Sequence, residues 1–103
     1  ARNSDDIDFS GALGIIEVQG YVCSVICFDT MLKTANIKLV HKEERLGGRL
    51  VTLIITGEVS AVRASIESGS ENVKKFGKVY GQEIIARPHN ELLKFFDLES
   101  INK

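Results

Sequence analysis

The sequence predicts an α+β fold in which four strands and two long helices follow the order β-α-β-β-α-β, with a short helix at the end. Apolar runs typical of strands alternate along the chain with two stretches whose apolar residues recur at helical spacing. A chain of 103 residues is also long enough to form one domain with a core of its own. This order of elements is the ferredoxin-like arrangement.

The first strand and the first helix lie near the start of the chain. The apolar run ALGIIEV at residues 12–18 predicts the strand, and Gly20 ends it. From 21 to 35, apolar residues form two adjoining strips, so the predicted helix is apolar around most of its circumference. One sheet face in so small a domain cannot cover that much apolar surface, and we therefore expect a neighbouring subunit to cover the rest.

Polar side chains on this helix form a single stripe. Asp29, Lys33 and Asn36 are spaced at i, i+4 and i+7, which places them on one side of a helix. Taken alone, the stripe indicates a solvated edge with one acid-to-base pair worth a few tenths of a kcal/mol.

The middle of the chain predicts two strands joined by a charged hairpin. Residues 36–42 alternate like a half-buried strand, and residues 49–56 form a more continuously apolar one. The stretch HKEERLGGRLVT around the turn carries five charged side chains and a glycine pair. Because Gly47 and Gly48 can adopt the positive φ angles of a tight turn, we expect an antiparallel hairpin here.

The last third of the chain predicts a second helix, a fourth strand and a short terminal helix. The second helix is expected over 58–76, with Gly69 marking a kink or break, and the fourth strand over 78–86. The apolar face of this second helix consists of Val59, Val62, Ile66, Val73 and Phe76. Pro88 blocks continuation of the strand, and Asn90 can cap the terminal helix. That helix has an apolar face formed by Leu92, Phe95 and Phe96.

The chain is expected to divide into one domain and two tails. Residues 1–10 are polar and acidic and predict a flexible tail, residues 11–97 predict the domain, and residues 98–103 predict a C-terminal tail. The acidic start is unlike a signal peptide, and no apolar run approaches the ~20 residues that span a bilayer. We therefore expect a soluble protein of the cytoplasm.

Charge and composition argue against several classes of partner. Thirteen Lys and Arg against fourteen Asp and Glu give a net charge of −1, with no block of like charges and no Trp. Nucleic-acid binding needs a basic surface, so we expect neither nucleic acid nor an anionic membrane as a partner.

Few residues offer catalytic or metal-binding chemistry. Cys23 and Cys27 are the only cysteines and lie one helical turn apart. Two thiols without further ligands make a poor metal site, so reduced core packing is the expected role, and we expect no cofactor. His41 and His89 are the only histidines, and nothing in the sequence pairs either with a nucleophile. The sequence therefore favours a protein that is not an enzyme.

Four segments together form a pattern that is more specific than any one of them. They are ALGIIEVQG (12–20), FDTMLKTANIKLV (28–40), GGRLVTLIITGEVSAV (47–62) and ARPH (86–89). In this order and at this spacing they resemble the bacterial microcompartment (BMC) shell family over about residues 11–96. The most specific parts are Glu17 at the end of the first strand, the Asp29-to-Asn36 stripe, and Arg87-Pro88-His89 after the last strand.

The resemblance implies the BMC fold and a structural role. Family members form flat cyclic hexamers that tile edge to edge into the shell of a protein organelle. The polar stripe then matches the hexamer edge: Lys33 meets its two-fold-related copy, with Asp29 and Asn36 beside it. Arg87, followed by Pro88 and His89, matches the arginine that reaches across that edge. The implied partners are further copies of this chain and other shell proteins of the same bacterial microcompartment.

The resemblance also assigns the hairpin to a central pore. In the family the hairpin between the second and third strands surrounds the six-fold axis and faces the passing metabolite. The pore-loop residues implied here are Glu44, Arg45, Leu46, Gly47, Gly48 and Arg49.

Two features depart from the family pattern at this hairpin. Arg49 replaces what is commonly Gly, and the segment from Val40 to Leu50 is one residue longer than usual. Six arginines around one narrow opening repel one another, by about 4 kcal/mol for a pair 4 Å apart at an effective dielectric of ~20. Neutralisation by Glu43 and Glu44, side chains that point away, or an irregular ring would each relieve this. The hairpin and the acidic tail resemble accessory shell proteins of glycyl-radical-enzyme microcompartments, such as those for choline utilization.

Three hypotheses of different classes follow from the sequence. The first is a self-assembling shell subunit with a pore. The second is a ferredoxin-like oligomeric regulatory module that binds a small ligand between subunits and forms no sheets. The third is an enzyme that uses His41 or His89 with Glu43.

Overall fold

The computed structural model describes residues 11–86, which form one antiparallel sheet with two helices on one face. The predicted order β-α-β-β-α-β is confirmed. The elements are β1 (Ala12–Gln19), α1 (Gly20–Thr34), β2 (Lys38–Arg45), β3 (Leu50–Gly57), α2 (Val59–Val73) and β4 (Val79–Ile85). The terminal helix expected after Asn90 and both tails lie outside the described residues.

The sheet has the strand order β2-β3-β1-β4, the order that the ferredoxin-like arrangement requires. β1 is central and pairs antiparallel with both β3 and β4. In this register Glu17 lies opposite Thr52 on one side and Gly81 on the other. The side chains of Glu17 and Thr52 therefore share one face of the sheet, away from the helices.

The core lies between the helices and the sheet. Alternate residues of β1 and β3 point into it, which agrees with the two-residue period of strands. Buried core residues include Ile16, Val18, Val51, Leu53, Ile55, Met31 and Ile66. A smaller cluster around the buried Leu13 and Ile54 occupies the opposite face. Both faces of the central strands are thus apolar, which explains why the run at 49–56 is more continuously apolar than an alternating strand.

Two expectations about helix ends are wrong. α1 ends at Thr34, and Ala35 is already extended, with a φ of −158°. Asn36 therefore lies in the connection to β2 instead of extending the helical stripe. α2 ends at Val73, where the chain turns, and Phe76 is 64% exposed instead of continuing the buried helical face.

Of the kink or break expected at Gly69, the break is wrong, because α2 continues through this residue. Gly69 is buried against α1, where a Cβ atom would lie 3.0 Å from both Cys27 Sγ and Met31 Cγ. Helix packing at van der Waals distance explains this glycine. Beside it, Ser65 Oγ donates to the Met31 carbonyl at 3.3 Å, and Asn72 Nδ2 donates to Thr30 Oγ1 at 2.9 Å. The two helices therefore approach closely along a face of small and polar side chains.

Candidate functional site

The β2–β3 hairpin ends in a four-residue turn, residues 46–49, that uses three consecutive positive φ angles. They are 56° at Leu46, 68° at Gly47 and 87° at Gly48. The Gly48 amide donates to the Arg45 carbonyl at 3.1 Å, and the Arg49 amide donates to the Leu46 carbonyl at 3.3 Å. The prediction for the two glycines is confirmed. Leu46 was not foreseen, because a branched side chain in this region is uncommon.

Arg49 closes the turn with its own side chain. Arg49 Nε donates to the Leu46 carbonyl oxygen at 2.9 Å. Within residues 11–86, no carboxylate lies at ion-pair distance from the Arg49 guanidinium. The turn itself therefore carries one charged side chain, and that charge has only a neutral acceptor.

The other charges of the hairpin are paired at its base. Glu17 Oε2 accepts from Arg45 Nη2 at 3.2 Å and from Thr52 Oγ1 at 3.0 Å. Lys42 Nζ lies 3.3 Å from Glu44 Oε2. Glu44 therefore pairs with a lysine two residues away on its own strand. Neither Glu43 nor Glu44 of the same subunit forms an ion pair with Arg49, so the expected neutralisation does not occur between these residues within the subunit.

His41 and Glu43 lie on the same sheet face as Glu17. His41 Nε2 is 3.1 Å from Glu43 Oε1, and the imidazole side chain is only 9% exposed. The pair required by the enzyme hypothesis is therefore close together. Thr52 lies opposite Glu43 in the strand register, and its hydroxyl donates to Glu17 Oε2 at 3.0 Å.

β2 contains an irregularity in its pairing with β3. Leu39 pairs with Ile55 and His41 with Ile54, so the register shifts at Val40. A β-bulge of this kind places two residues of one strand opposite one of the other.

A hollow lies beside the turn on the sheet face away from the helices. Its volume is about 480 Å³, and its lining is formed by Glu17, Leu46, Arg49, Leu50 and Tyr80. Leu46 and Tyr80 are both more than half exposed. The sequence singled out the hairpin but not Tyr80, which comes from β4 and reaches the hollow only because β4 pairs with β1.

The predicted edge residues are only partly brought together. Lys33 Nζ lies 2.9 Å from Asp29 Oδ2 across one turn of α1, with both side chains well exposed. Asn36, beyond the helix end, lines a separate hollow of about 390 Å³ with Gly11, Lys38, Thr56 and Glu58 among others. Arg87, Pro88 and His89 lie outside the described residues. The Asp29–Lys33 pair is confirmed, and the role of the edge stays a prediction.

The solvent side of α1 is apolar, as the sequence indicated. Tyr21, Val22, Val25 and Leu32 are 49% to 68% exposed. Lys42 Nζ lies 5.4 Å from the centre of the Tyr21 ring, a cation–π contact that joins the first turn of α1 to β2. An exposed apolar helix side of this kind is typical of a surface that another protein covers.

The cysteines have the buried positions that core packing requires. Cys23 and Cys27 are free thiols, both buried. Burial, with a smaller contribution from Cys23, raises the pKa of the Cys27 thiol from its ordinary value of 9.0 to about 12. Among the described residues no three His, Cys, Asp or Glu side chains are grouped to hold a metal. Neither helix within 11–86 is long and apolar enough to cross a membrane.

The fold and the exposed apolar side of α1 define a small α+β domain with a surface that another protein covers. The BMC domain family matches residues 12–88, and the chain belongs to this family. The family recognised from four short segments is therefore confirmed.

Curated relatives of the chain are shell proteins. It is 37% identical over 83 residues to the bacterial microcompartment shell protein PduA of Citrobacter freundii, covering 81% of this chain and 88% of that one. It is 45% identical over 83 residues to the carboxysome shell protein CcmK1 of Thermosynechococcus vestitus, covering 79% and 73%. EutM of Salmonella typhimurium, another microcompartment shell protein, is 34% identical over 87 residues, covering 84% and 90%.

A solved structure has the same fold. The crystal structure of a microcompartment protein from Desulfitobacterium hafniense matches with a TM-score of 0.75 and 28% identity, over 85% of this chain. The chain spans about half the length of that protein, 49%. Of the three hypotheses, these relatives support the shell subunit, and none supports the regulatory module.

Proposed function

We propose that this chain is a structural shell subunit of a bacterial microcompartment that assembles with copies of itself into a hexamer and tiles with other shell proteins. The observation that carries the proposal is the exposed apolar side of α1 in a chain whose curated relatives are shell proteins. Large apolar side chains grouped on one exposed side of a helix are typical of a surface that a partner covers. The role is structural, not catalytic, and its place is the microcompartment shell in the bacterial cytoplasm.

In this proposal the hairpin lines a central pore. The small residues Gly47 and Gly48 let neighbouring backbones approach, and the turn projects beyond the sheet with Leu46 exposed. In the hexamer Arg49 makes a ring of charges, and no carboxylate of residues 11–86 of the same subunit neutralises it. Their repulsion favours a hexamer that departs from six-fold symmetry at the axis.

The edge of the hexamer is proposed at Asp29, Lys33 and Asn36, with Arg87, Pro88 and His89. Its support is the exposed Asp29–Lys33 pair. Asp29 holds the ammonium group of Lys33 beside the helix, where a second copy can approach it. That the microcompartment is of the choline-utilization type stays a prediction, since the relatives named above come from several types of microcompartment.

Electron microscopy of the purified chain, followed by a crystal structure of the assembly, tests the proposal. We expect rings, sheets or tubes that grow with protein concentration, and hairpins from different subunits that meet at one axis. A stable small oligomer that does not grow at high concentration would contradict the shell role. Rings whose hairpins lie away from the axis would contradict the pore alone.

A further inference from the structure

We propose that the hollow beside the hairpin, lined by Glu17, Leu46, Arg49, Leu50 and Tyr80, binds small organic monocarboxylates, with Arg49 as the contact for the carboxylate group. If the hairpin lines a pore, this binding makes the pore selective for such acids, and that consequence rests on the proposed function. Binding at the hollow does not, since all five lining residues belong to one subunit.

The guanidinium of Arg49 is the group in this hollow that can bind an anion. Arg49 Nε donates to the Leu46 carbonyl oxygen, and this bond holds the side chain against the turn. Its two terminal nitrogens make no hydrogen bond to any side chain or carbonyl in residues 11–86. An arginine is always charged, and the planar donor pair of its terminal nitrogens matches the two oxygens of a carboxylate.

The carboxylate of Glu17 also lines the hollow, but its charge is already compensated. One of its oxygens accepts from both Arg45 Nη2 and Thr52 Oγ1. Arg45 therefore forms an ion pair with Glu17, whereas Arg49 forms none with a carboxylate of residues 11–86. Of Arg45 and Arg49, the one without a carboxylate partner in residues 11–86 is the one that lines the hollow.

The rest of the lining is suited to the carbon chain of such an acid. Leu46, Leu50 and Tyr80 provide apolar surface in a hollow of about 480 Å³, which is within the usual range for small-molecule sites of roughly 300–1,000 Å³. Apolar walls with one fixed polar group orient a ligand that has an apolar body and a charged end. An inorganic anion would use the arginine and leave these walls in water.

Saturation-transfer-difference NMR with butyrate as the probe tests this in solution on the full-length assembled chain. Butyramide is the uncharged control of nearly the same shape. Arg49→Gln removes the charge, and Lys42→Gln is the matched variant, because Lys42 is also a cation of the hairpin but does not line the hollow. We expect butyrate to bind wild type and Lys42→Gln alike, and Arg49→Gln at least about tenfold more weakly, as for loss of a charged hydrogen bond.

Crystals soaked with bromobutyrate locate the ligand by the anomalous signal of bromine. The signal is expected between Leu50 and Tyr80 in wild type and to be absent in Arg49→Gln. Equal transfer to butyrate and butyramide, unchanged binding by Arg49→Gln, or no binding by wild type would each overturn the proposal. The same crystals show whether hairpins meet at an axis. If hairpins meet at a central axis but no ligand is bound in the hollow, the binding inference alone is overturned. If ligand is bound but the hairpins do not meet at an axis, the pore alone is overturned.

Discussion

Helices α1 and α2 lie side by side on one face of the sheet, have the same length of 15 residues, and differ in what they present to solvent. On α2 the exposed side is polar and consists of Ser60, Arg63, Glu67 and Glu71. On α1 the exposed side includes Tyr21, Val22, Val25 and Leu32, interrupted by Asp29 and Lys33. α2 therefore has the amphipathic pattern of a helix whose apolar side is buried within its own domain and whose polar side faces solvent.

The difference separates residues that stabilise the subunit from residues that serve assembly. Both helices contribute to one core, where Cys27 and Met31 of α1 pack around Gly69 of α2. Of the two helices, α1 is the one with large apolar side chains exposed outside that core, and burial of this surface would stabilise an assembly by ~25 cal/mol for each Å² removed from water. The two helices can thus be tested with paired substitutions.

The largest expected effect on the stability of the subunit comes from a substitution on the buried side of α2. Ile66 is fully buried, so Ile66→Ala should lower the free energy of unfolding by about 2–5 kcal/mol. Leu32→Ala removes a similar side chain from the half-exposed side of α1, where about 0.5 kcal/mol is typical of a surface change. Urea unfolding at concentrations below assembly measures both. Equal losses would mean that Leu32 is part of the subunit core and would remove the distinction between the helices.

The next effect concerns assembly. Val22 is 68% exposed, so Val22→Glu should leave the fold intact but weaken assembly at least about tenfold, since an unpaired carboxylate is costly to bury in an interface. Ser60→Glu adds the same charge to the exposed side of α2 and should leave assembly as it was. Sedimentation velocity over a concentration series compares the two, and circular dichroism checks that each is folded. If Ser60→Glu disrupts assembly as strongly, the polar side of α2 is an interface too.

Much of the fold followed from patterns that depend only on neighbours in sequence. Strand alternation and helix period gave the six elements because both express which side chains face the core. Helix ends were less predictable. Asn36 fits a helical stripe, but Ile37 becomes a buried residue at the start of the path into β2, and the chain leaves the helix at Ala35. Gly69 was misread because the need for a glycine arises from α1, a contact between distant parts of the chain.

The candidate site was predicted in its hairpin and missed in its surroundings. A Gly-Gly pair between two strands is a local signal for a turn, and the positive φ angles confirm it. The pairing of Glu17 with Arg45 depends on β1 lying beside β3, which a sequence pattern does not reveal without the strand order. The one available signal was Glu17 itself, a charged residue at the end of an otherwise apolar strand.

A smaller effect on stability is expected from the polar part of α1. Because both members of the Asp29–Lys33 pair are well exposed, Lys33→Ala should cost the subunit at most a few tenths of a kcal/mol. It should nevertheless raise solubility and prevent extended sheets, while the individual oligomer persists. Lys75→Ala, which removes the same charge beyond the end of α2, is the control. Sheets that form as before in micrographs of Lys33→Ala would show that the edge lies elsewhere.

The smallest effect on stability at neutral pH is expected from the thiol of Cys27, on the buried side of α1. Because burial raises the pKa of Cys27 from 9.0 to about 12, the folded state keeps its thiol proton at pH values where the unfolded chain has released it. The unfolded state then binds fewer protons, so stability should fall as pH rises from about 9 to about 12 and be unaffected below. Cys27→Ala should remove this part of the decline in urea unfolding measured against pH. A thiol reagent at pH 8 should likewise modify Cys27 only after unfolding, because the thiolate is the reactive form. Rapid modification of the folded chain would place Cys27 at an accessible surface of α1 and contradict its role in helix packing.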